Sequence, residues 1–223
     1  LDADDLWAPT KLARQLETAE DAEVVHTNFY FFGDLDGRVD LTAVPESRRY
    51  TMEHVAEDNP FRISSLLVAR KLDVRFPEWT QDGEDLIYFL ELSRKATIRL
   101  VPEFLTGYRV HRAGQSARAD MVVARFHAIE AYLDRLNGEI SPSQADAVRT
   151  GYLRLMGRVA TQAKYARQWA QYHAIREFLT DFSRPELLPN EAKQITTERL
   201  YPRLAYAVKD RLDAWFRRKR ESR

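Results

Sequence analysis

Three groups of polar side chains carry chemistry in this chain. Asp2, Asp4 and Asp5 lie within LDADD at the start of the sequence. Carboxylates at this spacing are hard oxygen ligands suited to Mg²⁺ or Mn²⁺, ions often held by one or two carboxylates together with substrate phosphates. The same run also reads as a helix-capping acidic turn. A second pair, Glu84 and Asp85, opens an amphipathic run. There a carboxylate can act as a general base, or simply complement a helix N-terminus. The third group closes the stretch from Glu84 to Ser116: Tyr108-Arg109-Val110-His111, then a small polar loop. It supplies a cation and an imidazole at a strand end, the second a donor that binds Mn²⁺. Against these roles, Arg109 can pair with Glu103, and His111 can be a surface or capping histidine.

The elements that must position these groups follow from periodicity. Pro9 fits the first turn of a helix, and Leu12 and Leu16 at spacing four predict its buried face. Glu23 to Phe32 is β-branched and aromatic, a strand. Asp36-Gly37 signals a hairpin turn, and an EF-hand's spaced ligands are absent around it. Arg48 to Glu57 reads as a short helix broken by Asn59-Pro60, and Ile63 to Val68 as a strand. Asp82 is placed to cap the helix from Glu84, whose buried face is Leu86, Ile87, Phe89, Leu90 and Leu92. Thr97 to Val101 and Phe104 to Val110 read as two strands. Helices are then expected over Ala117 to Leu136, from Ser141-Pro142 to about Met156 or beyond, over Val159 to Phe182, over Glu186 to Lys193, and over Leu200 to Arg220. The chain thus divides into a mixed α/β part, residues 1–116, and an all-helical extension, residues 117–223.

Composition narrows the function classes. The 223 residues suffice for one large domain or two small ones. Net charge is zero but uneven: residues 1–60 carry 14 acidic and 5 basic side chains, and residues 61–223 carry 20 and 29. An acidic edge beside a basic body suits metal and phosphate chemistry and is a poor footprint for a nucleic-acid duplex binder. There is no cysteine, which excludes disulfides and thiolate metal sites. No apolar run approaches the ~18 residues that span a bilayer, and no signal peptide is visible. The expected location is the cytoplasm, at the inner face of the plasma membrane if the basic end Phe216-Arg217-Arg218-Lys219-Arg220 rests on anionic lipid. A solvated helix end explains that basic run equally.

Taken in order, the three groups resemble one family. LDADDLWAPTKLARQLE resembles the metal-binding DxD segment of family 2 glycosyltransferases of the GT-A fold. Glu84-Asp85 is similar to that family's ED motif at a helix start, and LVPEFLTGYRVH to its closing strands. The likeness covers about residues 1–116. The family's opening Pro-x-Tyr-Asn strand and its Asp-Asp-Gly-Ser are not in the chain, so the match is to the second half of such an enzyme, beginning at the metal motif. Glu91 stands near the place where the family's helix commonly carries an arginine.

The resemblance implies a partial GT-A mixed sheet followed by a helical extension. It implies inverting transfer from a nucleotide-diphospho-sugar donor to a saccharide, lipid-linked or protein hydroxyl, in polysaccharide or cell-envelope glycan synthesis, with Mg²⁺ or Mn²⁺. Asp4, Asp2 and His111 would hold the metal. Asp2, Arg109 and Ser116 would contact the nucleotide part, Asp85 would be the base, and Glu84 would orient the acceptor. Trp7 and Trp79 read as packing residues or as an acceptor wall. His26, His54, His127 and His173 read as structural. Two other classes stay open: a non-catalytic binding or scaffold module, and a metal-dependent phosphohydrolase.

Overall fold

The computed structural model describes residues 1–111 and 120–198. After the acidic loop come β1 (Leu6–Trp7) and α1 (Lys11–Thr18), then β2 (Val24–Gly33) and β3 (Gly37–Val39). The last two pair antiparallel from Phe29↔Val39 to Phe31↔Gly37, as the Asp36-Gly37 signal predicts. Two short helices follow, α2 (Glu46–Arg49) and α3 (Met52–Asp58), then β4 (Leu67–Val68), α4 (Glu84–Lys95) and β5 (Ile98–Val110). The rest is helical: α5 (Met121–Arg135), α6 (Pro142–Tyr165), α7 (Trp169–Thr180) and α8 (Asn190–Thr197). The fold is mixed α/β. The expected helix over Leu200 to Arg220, with its basic end, lies outside the described residues. No helix among the described residues is long and apolar enough to cross a membrane.

The sheet runs β1-β5-β2-β3, with β4 also on β2. Its central pair, β2 and β5, is parallel from Val24↔Ile98 to Gly33↔Val110. A parallel pair needs a crossover, and here α2, α3, β4 and α4 lie within it. Successive residues of β2 face opposite sides. Val24 therefore joins the main core, while Val25 joins a small second core with Val101 and Leu105.

Four local expectations are corrected. The two strands expected either side of Pro102-Glu103 are one strand. The register passes from Thr27↔Val101 to Asn28↔Phe104, leaving Pro102 and Glu103 as a bulge, where a residue without an N–H is tolerated. Residues 63–65 form a 3-10 turn instead of a strand; the Ser65 hydroxyl donates to Arg62 O at 2.7 Å and favours the turn. The helix expected to start at Val159 does not: α6, started by a Ser141/Gln144 capping box with Pro142 in its first turn, runs unbroken to Tyr165, and α7 starts at Trp169.

On α1 the expected face is reversed: Leu12 and Leu16 are 44% and 63% exposed, while Lys11 and Gln15 are fully buried. Hydrogen bonding sets this rotation. Gln15 Nε2 donates to Val25 O at 2.6 Å and to Ser65 O at 3.0 Å. Lys11 Nζ donates to Gln15 Oε1 at 2.6 Å and lies 4.2 Å from the Trp7 ring centroid. Burial pushes the Lys11 amine down to about 8.

The main core crosses residue 116 without interruption. Phe61 and Phe89 belong to it, and so do Phe126, Tyr152 and Ile195. The helical extension therefore packs on the crossover helices. Its tightest point is Gly151 of α6, where an added Cβ would sit 2.4 Å from Glu53 O on α3. Gly to Ala inside a helix ordinarily stabilises by about 1 kcal/mol. Here the sign reverses: Gly151→Ala is expected to lower stability by about 1–3 kcal/mol for overpacking against backbone, read as a lower urea midpoint at unchanged slope.

Candidate functional site

The antiparallel register of β1 on β5 builds the first side of the site. With Leu6 opposite Gly107 and Trp7 opposite Thr106, the residues before Leu6 lie beside those after Gly107. The acidic loop is therefore carried to the end of β5. Asp2 N–H donates to Ser64 Oγ at 3.0 Å, and Asp5 N–H donates to Asp2 O at 3.2 Å, which closes the loop into a turn. Asp5 is only 8% exposed, and its Oδ1 accepts from the Arg109 backbone N–H at 2.9 Å. His111 Nε2 then stands 3.2 Å from Asp4 Oδ2, with both side chains about half exposed.

The second side is the start of α4. The cap position is held by Gly83, not by Asp82, and Gly83 is left-handed at φ 84°. Such a φ favours glycine. An added Cβ would also come within 2.9 Å of Arg125 Cγ. Glycine here thus lets Arg125 of α5 lie across the helix start. Asp85 Oδ1 accepts from Leu86 N–H at 2.8 Å and is 3.7 Å from Arg125 Nη2. Its side chain is 38% exposed, and Oδ2 makes no hydrogen bond among the described residues.

The two sides face one cavity of about 590 Å³. Asp2, Asp4, Glu84, Asp85, Arg109 and His111, all named from sequence, line it together. Ser116 lies outside the described residues. Arg109 does not pair with Glu103, which instead binds Arg14 at 2.7 Å; the Arg109 guanidinium rests 5.0 Å from the Phe32 ring centroid. Neither Trp7 nor Trp79 lines the cavity. Trp7 donates to Ser64 O at 2.6 Å, and Trp79 lies under Arg135 at 4.2 Å, so both are packing residues. A larger hollow of about 650 Å³ beside Leu16, Glu23 and Thr97 contains none of the expected site residues.

Sequence reasoning missed three residues that line the cavity and one further arginine. Asp5 was visible in the acidic run, but its burial against Arg109 was not; its Oδ2 is buried without a hydrogen-bond partner. Arg125 belongs to a helix that the sequence assigns to the extension. Phe76 lines the cavity and stacks on Tyr88 at 4.3 Å, with no pattern in its loop to mark it. Arg62 sits between the Phe29 and Tyr108 rings, at 4.6 and 5.5 Å. Burial holds Arg62 below the usual arginine range, an effect opposed by Tyr108, Asp85 and Asp5 and reinforced by Arg125.

Crowded carboxylates leave an electrostatic mark. Asp2 is held above the ordinary carboxylate value of 3.8, first by burial, then by the charge of Asp5, with further contributions from Asp4 and Asp85; the terminal amine opposes them. Among the described residues no group of three or more His, Asp or Glu side chains closes on a point that could hold a metal ion. The donors present are a pair, Asp4 Oδ2 and His111 Nε2, half exposed at the cavity. One oxygen and one imidazole nitrogen fit a Mg²⁺ or Mn²⁺ ion that takes the rest of its shell from water and phosphate.

No protein-family model, no curated protein and no solved structure matches the chain.

Proposed function

We propose that this chain carries the metal and acceptor side of an inverting glycosyltransferase. It would move a sugar from a nucleotide-diphospho-sugar to a hydroxyl acceptor, on a sheet of the GT-A type. The observation that carries the reading is the convergence of Asp4 and His111 with Glu84, Asp85 and Arg109 on one cavity. A cavity of about 590 Å³ is of ordinary size for a small-molecule site.

Each residue has a role that its surroundings permit. Asp4 and His111 hold the divalent ion, which when bound neutralises the charge developing on the leaving diphosphate. Arg109 contacts that diphosphate from the end of β5, a strand position fixed by its backbone bond to Asp5. Asp85 is the general base. Leu86 N–H orients one of its oxygens, and the other takes the acceptor hydroxyl proton as the hydroxyl oxygen attacks the sugar. Glu84, beside it in the first turn, orients the acceptor. Phe76, 47% exposed and held flat by Tyr88, offers a face to a sugar ring.

Three measurements test this reading on the full chain. Titration calorimetry with UDP and GDP, with and without Mn²⁺, should show metal-dependent binding. Asp4→Ala should weaken it at least about ten-fold, since even the partners of metal ligands contribute that much. No metal-dependent binding of either nucleotide would instead favour a non-catalytic module.

Asp85→Asn should reduce turnover of the donor by about a hundred- to ten-thousand-fold while leaving nucleotide affinity unchanged. Normal transfer by that variant would remove Asp85 as the base.

The pH dependence has a fixed sign. Protons compete with ligands at Asp2, so nucleotide binding should weaken at a higher pH than a carboxylate of 3.8 would give. A raised folded-state value also means that ionised Asp2 disfavours the fold at neutral pH, a cost that disappears as pH falls through that value. Asp2→Asn should therefore weaken nucleotide binding yet raise the melting temperature at pH 7. A lower melting temperature would contradict the crowding described for Asp2.

A further inference from the structure

A second cavity, lined by none of these residues, lies between α5 and the end of α7, and its volume is about 430 Å³. Its wall is aromatic. The Phe126 ring meets Phe178 at 5.1 Å and Phe182 at 5.6 Å, and the latter two are 5.8 Å apart. Phe126 is buried, while Phe178 and Phe182 are half-buried and line the hollow. Its rim is acidic, with Glu130, Glu177 and Asp181.

These carboxylates are not equivalent. Glu130 is held by Arg149 at 2.7 and 3.1 Å. Glu177 and Asp181 make no side-chain hydrogen bond or ion pair among the described residues. They occupy the last turn and the C-cap of α7, and no basic residue stands in that turn. The carbonyl end of a helix disfavours anions, and two like charges four residues apart repel across the helix surface. Neighbouring arginines are engaged elsewhere: Arg176 donates to Glu198 O at 3.0 Å, and Arg184 binds Asp146 at 2.7 and 2.9 Å. Among the described residues, two anions without an ion-pair partner thus stand beside aromatic rings.

That combination selects its ligand by elimination. Anions are repelled. A neutral apolar molecule has no use for the carboxylates. A small hydrated metal ion has no use for the rings. An organic ammonium ion uses both, since alkylated nitrogen is attracted to aromatic faces and to carboxylates at once. The volume suits a small molecule.

We propose that the hollow formed by Phe126, Phe178 and Phe182, with Glu177 and Asp181 at its rim, binds a small organic ammonium ion from solution. The site is independent of the transfer reaction proposed above. The two cavities share only α5, which offers Met121 and Arg125 to one and Phe126, His127 and Glu130 to the other.

The test is a ligand-observed NMR titration of the full chain with choline and with its neutral carbon isostere, 3,3-dimethyl-1-butanol. Choline should bind saturably, and at least about ten-fold more tightly than the alcohol. Phe182→Leu keeps apolar bulk but removes a π face, and should weaken choline about three- to thirty-fold. Phe178→Leu reads the same quantity should Phe182→Leu fail to fold. The double variant Glu177→Gln, Asp181→Asn should weaken choline and raise the melting temperature. Equal binding of the two probes, absence of choline binding, unchanged affinity in the leucine variants, or a lower melting temperature in the double variant would each overturn the proposal.

Discussion

The structure depends on β5 being paired on both edges. On one side it lies parallel to β2 over most of its length, and on the other it holds β1 antiparallel through Leu6 and Trp7. The parallel pairing forces a long crossover, so α4 must begin somewhere above the sheet and return the chain to Ile98. The antiparallel pairing brings the start of the chain back along the end of the same strand. Asp5 secures that return by accepting the Arg109 N–H. The carboxylates of the acidic loop, the end of β5 and the first turn of α4 are therefore brought together by strand pairing and by the bond from Arg109 N–H to Asp5.

Long periodic elements were legible in the sequence, and so was the order of the chemical groups. The buried face of α4 follows the spacing of Leu86, Ile87, Phe89, Leu90 and Leu92, all buried as expected. Six of the expected site residues line one cavity. The failures occur where polar groups outrank hydrophobic pattern. α1 turns Leu12 and Leu16 outward as Gln15 turns inward to donate to two backbone carbonyls, Val25 O of β2 and Ser65 O of the 3-10 turn. An unmet buried carbonyl costs about 1–3 kcal/mol, comparable with what burying one leucine contributes. Residues 63–65 turn with the Ser65 hydroxyl donating back to Arg62 O. No periodicity reports such choices, because they depend on which strand the helix meets.

The other residues that sequence reasoning missed share another cause. Arg125, Phe76 and Arg62 come from the second half, a loop and the crossover, and nothing in their local sequence refers to Asp85 or Asp2. Their placement depends on a core that draws residues from both parts of the chain. Beside it, Glu57 is 6% exposed and bound by Arg154 at 3.1 Å and Arg158 at 2.8 Å, which joins α3 to α6 by charge as well as by packing. Burial works against the ionised Glu57, but the hydrogen bonds from Arg158 and Arg154 outweigh it and hold the carboxyl below its usual value of 4.5. The ion pairs therefore favour the fold above that pH and lose their effect as pH falls through the lower, folded-state value.

Glu57 is a useful standard for the two cavities. Where the fold needs a buried carboxylate for cohesion, it supplies three arginines at hydrogen-bond distance, Arg48, Arg154 and Arg158. Asp85 has one guanidinium at 3.7 Å, beyond a direct hydrogen bond. Asp5 keeps one buried oxygen without a partner. Glu177 and Asp181 have no ion-pair partner among the described residues and stand at the wrong end of a helix dipole. A chain that pairs Glu57, Asp146 and Glu130 so fully does not lack arginines for these positions. Among the described residues these groups lack the full pairing given to Glu57, and such departures from consistent pairing are where function is expected to reside. The same argument applied to the two cavities gives different ligands, because the first is lined by imidazole, guanidinium and carboxylate, and the second by phenyl rings under a carboxylate rim.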